Sequence, residues 1–208
     1  MSEAANTVSE TDETQILNDR DLDILFRNAR TYNDWQEKEV SDVMIQAIFD
    51  LLKWGPTSAN CSPMRVVFVK SEQAKERLKP HLMAGNVDKT MSAPVTAIIA
   101  NDLEFYEHLP TLFPHTEARS WFVGKEDHIK DTAMRNGTLQ GAYLMLAARS
   151  LGLDCGAMSG FNPKGVKDTF FSDKDVEVNF LCNIGYGDAE SLFPRSPRFD
   201  FDDVCEII

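Results

Sequence analysis

The chain has 208 residues, of which 43% are hydrophobic and 26% are charged. This composition is ordinary for a globular protein and excludes collagen, coiled coil and wholesale disorder. The formal net charge of −12 disfavours non-specific binding to nucleic acid or anionic membranes, because such binding needs Lys and Arg to displace counterions. No run of about eighteen apolar residues is present, so no membrane-spanning segment is predicted.

The length favours a single domain preceded by an acidic tail. Residues 1–18 hold acids but no Lys or Arg, and we expect them to be a flexible, solvated tail before one domain at 19–208. The tail lacks the basic start and apolar run of a secretory signal, which favours a cytoplasmic location. The cysteines form no C-x-x-C pair and the histidines show no metal-ligand spacing, so neither a disulfide framework nor a metal site is predicted. The four cysteines, expected to be thiols in the core, are Cys61, Cys155, Cys182 and Cys205.

Two helices are predicted in the first quarter of the domain. Asp21–Ala29 has apolar residues at helical spacing. Ser41 is a suitable N-cap for the next helix. Gly55 stands where a C′ glycine would end that helix, and Pro56 forbids its continuation.

Two strands with a helix between them follow. Arg65–Lys70 is a β-rich run and Pro94–Ala100 is a second one. Between them, Ser71 is an N-cap for a helix at Glu72–Leu82, and Gly85 is one of its two candidate terminators.

Asn101–Lys125 is aromatic and irregular. It lacks clean periodicity, and its length indicates either a cap over a pocket or a surface for a partner. Packing of its rings in the core is an equal alternative.

The longest predicted helix is Asp127–Leu151, and the third strand is Val176–Gly185. Gly137 and Gly141 lie four residues apart in the helix and would allow another backbone or a flat ligand to come close. Gly152 is expected to be the C′ glycine of the helix. Strands separated by helices of unequal length favour the α+β class over a doubly wound fold.

The common nucleotide and hydrolase motifs are missing. Neither G-x-G-x-x-G after a strand, nor G-x-x-x-x-G-K-[ST], nor G-x-S-x-G occurs. What remains are dispersed polar clusters, with arginines at both ends of the domain that can converge on one phosphate. On the residues alone, a mononucleotide site is one hypothesis, and ordinary turns with solvated arginines are the other.

Three segments resemble the FMN-dependent nitroreductase family, in order along nearly the whole chain. Trp54-Gly-Pro-Thr-Ser-Ala-Asn-Cys-Ser-Pro63 is similar to its A-P-S-S-x-N-x-Q-P segment. Leu151-Gly-Leu-Asp-Cys-Gly-Ala-Met-Ser-Gly-Phe161 is similar to its L-G-L-x-x-x-x-x-x-G-F stretch, and Asn183-Ile-Gly-Tyr-Gly187 to its I-G-Y strand end. Ala29–Asn33 and Leu192–Arg198 most resemble the malonic semialdehyde reductase branch of pyrimidine catabolism.

The resemblance implies a mixed or antiparallel sheet flanked by helices, in an intertwined homodimer with two FMN molecules at the subunit interface. NADH or NADPH would reduce the flavin at N5, and a second substrate would then be reduced in the same pocket. Malonic semialdehyde would give 3-hydroxypropionate.

The resemblance also implies which residues hold FMN. Arg30, Thr31 and Asn33 would line its phosphate and ribityl side together with Arg195 and Arg198. Around the ring it places Pro56, Thr57, Ser58 and Asn60 from the partner subunit, Asn86 and Lys89 at the pyrimidine edge, and Asn136, Met158, Ser159 and Gly160 on the side of N5. A cation at the pyrimidine edge would stabilise negative charge on the reduced flavin, which gives Lys89 an electrostatic role.

Some positions depart from the family pattern. Asn33 stands where a basic residue is frequent, Ser62 replaces the usual Gln, and Met64 replaces the usual Trp. Binding of the FMN phosphate would therefore depend more on Arg195 and Arg198.

The acceptor is open on sequence grounds. A small anion such as malonic semialdehyde needs a local cation, for which Arg119, Lys125 and Arg135 are candidates. A nitroaromatic or a quinone would instead stack under rings such as Phe105, Phe113 or Trp121.

Three readings compete with that specific activity. They are a broad nitroreductase or quinone reductase, a flavin-binding protein without turnover, and a structural interaction module that binds no flavin.

Overall fold

The computed structural model describes residues 16–208. Most of the predicted acidic tail, residues 1–15, lies outside the described residues. The side chain of Asn18 caps the first helix by accepting the Asp21 N–H at 3.1 Å. This helix, α1 (Asp19–Leu22), continues as a π-helical turn over Asp23–Arg27 and so ends two residues before the predicted Ala29.

The other elements are four strands separated by single helices or by pairs of helices along the described chain. In order they are α2 (Asp42–Leu52), β1 (Met64–Val69), α3 (Glu72–Leu78), α4 (Ala84–Ser92), β2 (Val95–Asp102), α5 (Leu109–Leu112), α6 (Glu126–Ser150), β3 (Asp154–Met158), α7 (Pro163–Phe170), β4 (Val176–Gly185) and α8 (Phe201–Val204).

The four strands form one antiparallel sheet in the order β1-β2-β4-β3. Every residue of β2 is buried, as expected for a central strand covered on both faces. The register between β2 and β4 shifts at Ile99/Ala100. The α+β prediction is confirmed, and the sheet is wholly antiparallel. β1 and β3 are its edges, and β3 borders the candidate site.

The start of α2 is as predicted, but its end is not. The Ser41 hydroxyl accepts the Met44 N–H at 3.2 Å, which is an N-cap. The helix ends at Leu52, and Gly55 has no left-handed conformation, so the prediction of a C′ glycine is wrong. A side chain at Gly55 would instead meet the Tyr143 ring, with its Cβ only 2.8 Å from Cγ.

Five of these elements were absent from the sequence prediction, namely α4, α5, β3, α7 and α8. The helix predicted at Glu72–Leu82 divides at the turn Lys79–His81, and α4 then begins, so Gly85 lies inside a helix and does not end one. β3 is only five residues long and contains a glycine. α7 starts at Pro163, and its N-cap Asn162 accepts the Gly165 N–H at 3.2 Å.

α6 packs closely on the sheet through its glycines. A Cβ on Gly137 would lie 1.9 Å from Oδ1 of Asn101, and one on Gly141 would lie 2.6 Å from Cζ of Phe180. Both glycines therefore admit side chains of β2 and β4, which corrects the expectation that another backbone or a flat ligand comes close here. Gly152 has φ +77° and follows the helix as predicted.

Apolar packing divides into three clusters. α2 and α6 cover one face of the sheet, and α3 and α7 cover the other. The third cluster lies under Leu103–Val123, hereafter the cap. Phe105 and Phe122 of the cap are buried beside Cys61, with their ring centroids 4.9 Å apart.

Three of the four thiols lie in the core as expected, and Cys205 is exposed. Within residues 16–208, no group of three or more potential metal ligands comes together. In the same range, no helix has the length and apolar character needed to cross a bilayer.

Candidate functional site

Both ends of the domain contribute to a cavity of about 290 Å³. Arg30 donates to the carbonyl of Phe193 at 2.5 Å, and Arg195 donates to the carbonyl of Ala29 at 3.1 Å. These two bonds hold the segment before residue 35 against the segment after residue 190. The residues that line the cavity include all five predicted for the phosphate, namely Arg30, Thr31, Asn33, Arg195 and Arg198.

The cavity is strongly cationic in an acidic protein. A fourth guanidinium, that of Arg149, joins the three predicted ones, and no Asp or Glu lines the cavity. Arg149 lies in the last turn of α6 and donates to the carbonyl of Leu25 at 3.4 Å. Guanidinium groups present forks of donors that match phosphate oxygens. Sequence reasoning missed Arg149 because a basic residue in the last turn of a helix usually only complements the helix dipole.

A second group of predicted residues meets where α4 approaches the end of β3. The Asn86 side-chain amide donates to the carbonyl of Gly160 at 2.7 Å, and the same carbonyl accepts the Met83 N–H at 3.0 Å. Met158 is buried, Ser159 is exposed and Gly160 is half-buried. Asn86 and Met158–Gly160 are distant in the sequence, and the fold brings them into contact.

Lys89 belongs to the same group through its main chain. Its carbonyl accepts Nε1 of Trp35 at 3.1 Å and the side-chain amide of Asn183 at 3.0 Å. Its own side chain is half-exposed. The main chain of Lys89 is therefore held both from β4 and from the segment that carries Arg30.

The outer edge of β3 links the two groups. The Tyr32 N–H donates to the carbonyl of Cys155 at 3.1 Å, so the main chain of Cys155 faces away from β4. Main-chain groups two residues apart in a strand point the same way, and Ala157 therefore presents its N–H and C=O at this edge. Ala157 is exposed. The sequence carried no signal for this residue, because its contribution is backbone alone.

The third group, the turn at Pro56–Asn60, lies against α6. The Ser58 N–H donates to Oδ1 of Asn136 at 2.8 Å, and the Asn60 side-chain amide donates to the carbonyl of Leu112 at 2.9 Å. Asn136 is thus placed with Thr57 and Ser58, while Met158–Gly160 belong to the second group. In the described part of the chain, no hydrogen bond joins this turn to the other two groups.

Two of the three predicted cations in or beside the cap form hydrogen bonds within the chain. Arg119 forms two bonds of 2.7 Å to the carboxylate of Glu107, and these bonds lower the pKa of Glu107 and raise the pKa of Arg119. Lys125 donates to the carbonyl of Trp121 at 2.9 Å. Arg135 is exposed on α6.

The aromatic residues predicted to stack on an acceptor differ in how far they are buried. Phe105 is fully buried and cannot stack on a ligand, which corrects its place among the stacking rings. Trp121 is 44% exposed, and its ring centroid lies 6.3 Å from that of the half-buried Phe113. The cap therefore combines core packing on its inner side with an open aromatic surface on the outer side.

Cys61 follows the turn at Pro56–Asn60 and is fully buried. Burial raises the pKa of its thiol to about 11, against the opposing effect of a hydrogen bond with Thr57. The neutral thiol packs in the third apolar cluster.

Comparisons with known proteins show what this chain is similar to. The sequence model of the nitroreductase family matches residues 27–186. A protein of Burkholderia lata, provisionally named NADH dehydrogenase/NAD(P)H nitroreductase, is 59% identical over 191 residues, which are 92% of this chain and 98% of that protein.

Solved structures share the fold at much lower identity. A protein of Exiguobacterium sibiricum, provisionally described as a nitroreductase and solved in complex with FMN, has a TM-score of 0.79 at 21% identity, covering 93% of this chain and 99% of that one. A protein of Staphylococcus epidermidis, provisionally described as an NAD(P)H:FMN oxidoreductase, has a TM-score of 0.80 at 19% identity, covering 93% and 98%.

Proposed function

The chain belongs to the nitroreductase family, and from this premise we propose that it is an FMN-dependent oxidoreductase that uses NADH or NADPH to reduce a small acceptor. The observation that carries the proposal is the cavity lined by four arginines and no carboxylate. Such a cavity suits a phosphate dianion, although the net charge of the protein is −12.

The described residues fit FMN beyond its phosphate. The edge of β3 offers main-chain donors and acceptors at Ala157–Gly160, and Asn86 and Lys89 adjoin it. When bound, FMN supplies hydride chemistry at its N5. The chain would hold the phosphate with its arginines, orient the ring along β3, and place the Lys89 ammonium where negative charge accumulates on reduction.

The site as described in one chain lacks a contribution from the turn at Pro56–Asn60. We therefore propose a homodimer, in which this turn reaches the ring bound by the second copy. Supporting residues are large apolar side chains left exposed on and just after α2, on α6 and in the C-terminal segment: Phe49, Trp54, Leu139, Tyr143, Phe199, Phe201, Val204, Ile207 and Ile208. Sedimentation is expected to give twice the mass of the chain, and a monomer that binds FMN with full affinity would contradict the proposal.

For the acceptor, the geometry favours a planar molecule such as a quinone or a nitroaromatic. Trp121 and Phe113 offer an exposed aromatic surface, while the charge of Arg119 is balanced by Glu107. Malonic semialdehyde is the second candidate, favoured by the segments Ala29–Asn33 and Leu192–Arg198, with the exposed Arg135 as the available cation. We also propose a cytoplasmic location, since free thiols are typical of reducing compartments.

The deciding experiment is an absorption spectrum of the FMN-loaded protein before and after anaerobic addition of NADH or NADPH. Loss of the flavin band is expected. Colourless protein that does not bind added FMN would reject the flavin site, and bound flavin that neither nucleotide bleaches would indicate a carrier without turnover.

A steady-state comparison of nitrofurazone with malonic semialdehyde then decides the acceptor. A higher kcat/KM for nitrofurazone is expected. Preference for the aldehyde would reverse the order of the two candidates.

A further inference from the structure

The turn that follows α2 is strained. Ala59 and Asn60 both have φ +51°, and Ser62 has φ +38°, although none of them is glycine. A non-glycine residue in the left-handed region of positive φ is sterically strained, and it adopts this conformation only where surrounding contacts stabilise it. Three left-handed residues within four positions mean that the relaxed turn would have a different shape.

Asn136 is placed to hold this shape. It lies in the middle of α6, is 1% exposed, and uses both ends of its amide within the chain. Oδ1 accepts the Ser58 N–H at 2.8 Å, and Nδ2 donates to the carbonyl of Thr132 at 2.8 Å. Because the second bond fixes the amide, the acceptor is aimed at Ser58 before any ligand is present.

The helix beneath Asn136 is fixed in turn. The next residue, Gly137, touches the fully buried side chain of Asn101 in β2. A helix seated this closely on the central strand cannot slide or rotate without a clash, so the position of Oδ1 is set by the sheet. The sheet therefore determines the position of Ser58 through α6.

We propose that Asn136 is a positioning residue, which holds the Thr57–Ser62 turn in its strained form so that the turn is ready to cover the flavin of the second copy. This rests on the proposed function, and it replaces the expectation that Asn136 touches the ring itself. Without the amide, the turn relaxes, and the flavin must order it again on binding. FMN affinity then falls, while the flavin already bound keeps its surroundings.

The first test uses the protein without FMN. Hydrogen exchange is expected to accelerate at least about tenfold in peptides that cover Ser58–Cys61 of Asn136→Ala, since a buried hydrogen bond of this kind is lost. Unchanged exchange in a folded variant would overturn the proposal. This readout does not depend on flavin, so it separates failure of the positioning role from failure of the FMN assignment.

The second test uses the FMN-loaded protein. Asn136→Ala is expected to weaken FMN binding about tenfold and to leave the flavin reduction potential unchanged. Adding Ala59→Gly is expected to restore part of the affinity, because glycine adopts the left-handed conformation at this position without steric strain. A shifted potential together with no restoration by Ala59→Gly would show direct contact with the ring and overturn the proposal.

Asn136→Asp covers the case in which Asn136→Ala does not fold. It keeps an acceptor for the Ser58 N–H at the same place, and burial favours the neutral acid, whose O–H can donate to the carbonyl of Thr132 as Nδ2 does. FMN affinity within about threefold of the unaltered protein is therefore expected. A loss of more than about tenfold in this variant, with an unchanged circular dichroism spectrum, would count against the positioning role.

Discussion

Replacing Arg195 and Arg198 together by alanine tests the cationic cavity most directly. A hydrogen bond to a charged group contributes about 1.5–3 kcal/mol, so two guanidinium contacts with phosphate amount to about 3–6 kcal/mol. Both side chains are exposed, and solvent screening places the expectation at the lower end of that range. FMN should therefore bind about a hundredfold more weakly.

The two single variants should differ. Arg195 also donates to the carbonyl of Ala29 and so holds the segment that carries Arg30. Arg198 donates to the carbonyls of Ser196 and Pro197 beside it. Arg195→Ala is therefore expected to cost more affinity than Arg198→Ala, because it removes a contact with phosphate and also loosens the cavity.

The assay is fluorescence titration of the apoprotein with FMN and with riboflavin, which lacks the phosphate. The unaltered protein should prefer FMN strongly, and the double variant should bind the two flavins almost equally. Arg77→Ala is the matched control, since Arg77 is an exposed arginine that donates to the carbonyl of Thr169 and does not line the cavity. A double variant that keeps its preference for FMN over riboflavin would show that the phosphate is held elsewhere.

Three further predictions concern the helix contact, the ring site and the buried thiol. Gly137→Ala should lower the free energy of unfolding by about 1–3 kcal/mol, because the added methyl group clashes with Asn101. The control is Gly85→Ala in α4, where the methyl group meets open space and the free energy of unfolding should stay the same or rise. Thermal unfolding measures both variants. Lys89→Ala should slow anaerobic flavin reduction by NADPH in stopped flow; a change in FMN affinity alone would refute its electrostatic role. At pH 8 a thiol with a pKa of about 11 is only about one thousandth ionised, so Cys61 should resist iodoacetamide until the protein is unfolded; rapid labelling at pH 8 would contradict the burial argument.

Local sequence signals predicted the elements with strong, self-contained patterns. Ser41 and Ser71 are followed by helices because their hydroxyls accept main-chain N–H groups three residues later. Val176–Gly185 is a strand over its whole predicted length. α4 and β3 escaped because Gly85 and Gly156 are read locally as breakers, while the partners that stabilise these elements come from distant parts of the chain.

The candidate site divides in the same way. The arginines could be found from sequence because charge and family pattern identify a phosphate site wherever the chain runs. The place of Asn136 could not, because its partner Ser58 is 78 positions away and a buried amide in a helix has no local signature. Arg149 and Ala157 escaped for similar reasons, one being an ordinary helix-end residue and the other contributing only its main chain.

Net charge and local charge have different consequences in this protein. The overall charge of −12 keeps polyanions away, yet the described fold concentrates four guanidinium groups in one small cavity. Like charges this close repel each other, and the bonds from Arg30 to Phe193 and from Arg195 to Ala29 hold them together across the two ends of the domain. A bound phosphate would remove that repulsion. FMN should therefore stabilise the packing of the last residues onto the first, and the C-terminal segment should be the part of the chain whose hydrogen exchange slows most on binding.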